Sequence, residues 1–182
     1  MNTASYLNIE ILNALEDDSK STAEKLFAIS KYFAPFLYNN YERDPSDEEK
    51  HEALIFACFW TLRIVMTTYK CEPGLEKQLF PLIFDDAEES MKVKVITSKE
   101  GLDVYTNRLD FYLQETKNMN LENVNHRPLL NKLYFSPLPS SSTASHYPDP
   151  IEFLKAMGIF SLGLKEYDEL VRKAIASLQT FQ

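Results

Sequence analysis

From Ala53 to Tyr69 the chain is apolar or uncharged at every position except Arg63. This run of seventeen residues, Arg63 included, outruns an ordinary strand of roughly five or six. They suit a helix, and a helix that is apolar all round has to be enclosed by other elements. A membrane span needs about 20 apolar residues, and a charge near its middle is costly in lipid. The segment therefore reads as the central helix of a soluble bundle. Its start is written just upstream, in Asp44-Pro45-Ser46-Asp47-Glu48-Glu49. Ser46 stands as N-cap and Glu49 three residues later, the spacing of a capping box. Acids in the first turn also suit the positive end of the helix dipole. Pro73-Gly74 supplies the stop. The spacing predicts a helix over about 47–70.

The flanking sequence keeps a helical period. Tyr6, Ile9, Leu12 and Leu15 make one apolar stripe, which ends at Glu16-Asp17-Asp18. Asp18, Ser19 and Ser21 are the candidate caps for a second helix. That helix carries Leu26, Phe27, Ile29, Phe33, Phe36 and Leu37, and Pro35 should kink or end it. Leu75 to Glu89 reads as another helix, with Leu79, Leu82 and Ile83 inward and Pro81 a local kink. Lys92-Val93-Lys94-Val95-Ile96 alternates like a strand, but a lone strand has no partner, so continued helix or a connector is expected. Ser98 opens a helix with Leu102, Tyr105, Leu109, Tyr112 and Leu113, fading near Asn118. A short helix is expected after Pro128 and another from Asp149-Pro150 to Gly158. A last one runs from about Leu164 to Thr180, on Leu164, Tyr167, Val171, Ala174, Leu178 and Phe181.

These elements describe an all-α fold: a single domain over 1–182, an irregular bundle of about six to eight helices around the buried 47–70 helix. One segment stands apart. Residues 136–150 hold four of the nine prolines and a Ser140-Ser141-Ser142-Thr143 run, so a loop of about 15 residues is expected there.

Composition narrows function mainly by exclusion. There are 27 acidic and 19 basic residues, a net charge of −8. That argues against nucleic acid, which needs clustered Lys and Arg. It favours solubility and docking to a basic partner. With four glycines, at 74, 101, 158 and 163, neither a phosphate-cradling loop nor a dinucleotide fingerprint can be written. Met1–Leu7 lacks the basic and apolar regions of a secretory signal. Cys58 and Cys71 stand thirteen residues apart, about 20 Å along one helix, whereas a disulfide needs Cα atoms within about 7 Å. Free thiols, and hence a reducing cytoplasm, are expected.

Two carboxylate strings suggest chemistry. Asp85-Asp86-Ala87-Glu88-Glu89 resembles the aspartate-rich motif of isoprenoid-diphosphate enzymes, which are all-helical. Carboxylates three apart share a helix face and can hold Mg²⁺ against a diphosphate. The resemblance covers Asp85, Asp86 and Glu89, with no second metal motif. Glu49-Lys50-His51-Glu52 has the spacing seen in all-helical nucleoside-triphosphate pyrophosphatases, and Glu48 with His51 is half of a di-iron pattern. What these resemblances imply is a Mg²⁺ site on Asp85, Asp86, Glu89, Glu48, Glu49 and Glu52. The plainer reading is a solvated acidic helix end and an acidic helix start.

The aromatics belong mainly to the core. Tyr38, Tyr41 and Tyr147, next to loops, are the interface candidates. The leading expectation is a non-catalytic cytoplasmic interaction protein with an acidic surface, of the antitoxin, immunity or adaptor type, without a cofactor. Its partner would be another protein, basic in character, with no nucleic acid or membrane, and a homo-oligomer is compatible with the pattern. The alternatives are a Mg²⁺-dependent helical enzyme acting on a diphosphate or nucleotide, and a helical small-molecule-binding domain lidded by 136–150.

Overall fold

The computed structural model describes residues 9, 12–37, 44–45, 47–68, 74–91, 99–116, 163–169 and 171–172. The protein is all-α: these residues are helical almost throughout, with no strand among them. Residues 12–16 form α1. Then come α2 (Thr22–Phe33), a 3₁₀ turn (Ala34–Leu37), α3 (Asp47–Thr68), α4 (Leu75–Met91) and α5 (Lys99–Thr116). Residues 163–169 and 171–172 form α6.

The corner between α1 and α2 is set by local hydrogen bonds. The Asp17 carboxylate accepts from the Ser19 hydroxyl at 2.5 Å and the Ser19 N–H at 3.1 Å, and pairs with Lys20 at 3.0 Å. Those contacts, the Ser19 hydroxyl foremost, hold its pKa down at about 2. Of the three candidate caps, Ser21 is the one used. Its hydroxyl accepts the Glu24 N–H at 3.3 Å, and Glu24 accepts the Ser21 N–H at 2.7 Å. Two of the helix's orphan donors are thereby satisfied. At the other end Pro35 has no N–H to continue the ladder, and α2 gives way to the 3₁₀ turn.

Helix α3 is the centre of the core. Residues 53–62, 64 and 65 are all buried. Packed on them are Ala23, Leu26, Ile29 and Phe33 of α2, Leu79 and Ile83 of α4, Tyr112 of α5, and Leu164, Tyr167 and Val171 of α6. Helix α2 lies against both α3 and α4, and α5 touches α3. Each large side chain shut from water, Trp60 and Phe56 among them, contributes about 1.5–3 kcal/mol. Gly74 introduces α4 at φ +93°, a conformation glycine adopts without a side-chain clash. Its carbonyl accepts the Lys77 N–H at 3.0 Å, and Pro81 lies inside the helix that follows.

Arg63, the charge inside the apolar run, is half-buried, with its guanidinium 4.8 Å from the centre of the Trp60 ring. Burial lowers its pKa, while Asp168 of α6 favours the charged form. The stem lies along the helix and the head reaches an aromatic face, so the charge does not break the core.

Some expected inward positions differ. Leu82 is only partly buried, and Leu113 of α5 is 54% exposed. Cys58 is a buried thiol in no disulfide, packed as a small apolar filler. No helix among the described residues is long and apolar enough to cross a membrane. Cys71, the alternating stretch 92–97, the segment after Pro128, the Pro/Ser-rich stretch 136–150, the helix expected at 150–158 and the apolar positions Ala174, Leu178 and Phe181 lie outside the described residues.

Candidate functional site

The first two turns of α3 place Glu49, His51 and Glu52 in the interior. Acids at a helix start belong there for dipole reasons, and such acids ordinarily face water. Here the helix enters the bundle at its first turn, so two of them are taken inside. Glu49 is 6% exposed and Glu52 is fully buried.

Glu52 is neutralised by α5. Arg108 Nε donates to its Oε2 at 3.1 Å, and the Tyr112 hydroxyl donates to its Oε1. Both carboxylate oxygens are engaged. Arg108 and Tyr112 are four residues apart and so share one face of α5. The rings of Phe56 and Phe59, one and two turns beyond Glu52, lie against Tyr112 at 5.1 and 5.6 Å between centroids. Burial raises the Tyr112 pKa well above its ordinary value, and the neighbouring Glu52 charge raises it further. The phenol stays protonated and acts as a donor. This carboxylate, guanidinium and phenol form a polar node between α3 and α5.

A second polar node lies across the same helix. Thr61 follows Glu52 by nine residues, and at about 100° per residue that turns it to the opposite side. Its hydroxyl donates to the Ala57 carbonyl at 2.8 Å. Ser30 of α2 reaches it at 2.9 Å and Tyr167 of α6 at 2.6 Å. Either hydroxyl of the Thr61–Tyr167 pair can be the donor, and Ser30 also bonds the Leu26 carbonyl at 2.8 Å. The Tyr167 ring stacks on Phe33 at 3.7 Å with 3° between planes. Burial raises the Tyr167 pKa too, which keeps it neutral.

Of the metal candidates, the structure places Glu49 and Glu52 inside α3 and Asp85 in solvent on α4. Glu48, Asp86 and Glu89 belong to the same two helices, and their side chains lie outside what the structure describes. Among the described residues, no group of three or more His, Cys, Asp or Glu side chains is arranged to hold a metal ion. The interface candidates Tyr38, Tyr41 and Tyr147 lie outside the described residues.

Sequence reasoning missed Arg108 altogether and read Tyr112 as plain core. The signal available was a cation four residues before an aromatic in an apolar stripe, which alone does not name Glu52 as its partner. Among the described residues, the acids that face solvent are Glu16, Asp18 and Glu24 at the α1–α2 corner, Asp44 and Asp47 before and at the start of α3, Asp85, Asp110, Glu166 and Glu169. The chain matches no family model, no curated protein and no solved structure with which it was compared.

Proposed function

We propose that the protein is a non-catalytic interaction protein whose acidic helical surface binds a basic protein partner, in the manner of antitoxin, immunity and adaptor proteins, and that it works in the cytoplasm. The observation that supports this is the division of its charge. Inside, the Glu52 carboxylate is held by Arg108 and Tyr112 and serves packing. Outside, the acids are exposed on α1, α2, α3, α4, α5 and α6, in a chain of net charge −8. Asp17 and Glu24 have lowered pKa values, so the α1–α2 corner stays anionic well into acid. Such a surface steers and orients a cationic partner more than it adds affinity.

The test begins with tagged protein recovered from its native host at low salt. A specific partner should be retained, identified and remade. Its association rate should fall steeply between about 50 and 300 mM salt, as screening predicts. It should also fall when Glu16, Asp18 and Glu24 are changed together to glutamine. Recovery of no specific partner at low salt removes the basis of the proposal. A calorimetric titration with Mg²⁺ and then Mn²⁺ separates it from the metal reading. Saturable heat that disappears in Asp85→Asn/Asp86→Asn would put a metal-dependent enzyme in its place.

A further inference from the structure

We draw no further inference here: the strongest candidate, the cluster at the C-terminal half of α3 where the Arg63 guanidinium covers the Trp60 ring beside the Asp168–Arg172 pair of α6, carries none because Asp168 already holds Arg172 through both oxygens and nothing in the structure shows a ligand group or partner surface that meets it.

Discussion

On one side of α3, Thr61 shares a hydroxyl with Ser30 and Tyr167; on the other, Glu52 shares a carboxylate with Arg108 and Tyr112. Both nodes join α3 to neighbouring helices, and every member but the part-buried Arg108 is shut from water. They differ in what happens when a member is lost. A hydroxyl that loses a partner is a dipole left short of one hydrogen bond, at a cost of about 1–3 kcal/mol. A carboxylate that loses its cation is a whole charge in a poor solvent, and breaking such a pair costs about 3–5 kcal/mol. The neutral node binds helices together cheaply. The charged node adds little net stability but strongly penalises any arrangement in which α5 does not bring Arg108 to Glu52.

The widest separation between the two should come from Arg108→Met. Glu52 is left buried without its cation, and urea denaturation should show a loss of about 3–5 kcal/mol. The double change Glu52→Leu/Arg108→Met removes both charges and should return most of that stability, to within about 1–2 kcal/mol of wild type. A double variant as unstable as the single one would mean that the site is not sealed from water.

Alkali probes a property the two nodes share. Both Tyr112 and Tyr167 have folded-state pKa values raised above the unfolded value near 10. Below pH 10 their contribution is intact. As the pH rises past 10 the unfolded chain loses these protons first, so it binds fewer protons and stability falls with pH. The slope should be about 1.4 kcal/mol per pH unit for each tyrosine. In Tyr167→Phe the fall should be shallower, as followed by circular dichroism between pH 10 and 12.

Thr61→Val keeps the volume and removes the shared hydroxyl. It should cost about 1–3 kcal/mol, because the buried Tyr167 and Ser30 hydroxyls each lose a partner. Tyr167→Phe should cost less, about 0.5–1.5 kcal/mol. The ring still stacks on Phe33, and Thr61 keeps Ala57 and Ser30. If Tyr167→Phe proves the worse of the two, Thr61 is not the hub.

The exposed turn at Asp17 sets the lower bound. Its pKa is lowered to about 2, so the folded chain holds the proton less tightly than the unfolded one. The stabilisation is full above the unfolded value near 4 and is lost as the pH falls toward 2. Asp17→Asn should flatten the acid limb of the stability curve over that window and change little at neutral pH. A change at neutral pH as large as that in Thr61→Val would place this turn on a par with the buried nodes.

Legibility followed the range of the interaction. The span of α3, the end of α2 at Pro35 and the stripe Leu164–Tyr167–Val171 were all readable, since each rests on residues within a few turns of one another. The candidate site was not. Glu49 and Glu52 read as an acidic helix start, and it is packing against the other helices, α5 in the case of Glu52, that buries them. Arg108 had no reason to be singled out, because its partner lies 56 residues away in sequence. The capping box at Ser21 and Glu24 was local and could have been read, but three adjacent cap candidates obscured which one served.

What the sequence determined by itself was the helical class, the central apolar helix and the net charge of −8. Period, capping and composition are properties of neighbouring residues and of totals, and no distant contact alters them. The tertiary structure decided which polar residues are buried and with whom they pair. Ser30, Thr61 and Tyr167, like Glu52, Arg108 and Tyr112, are distant in the chain and become partners only where packing excludes water. There the Glu52 charge and the Thr61 hydroxyl are met from neighbouring helices.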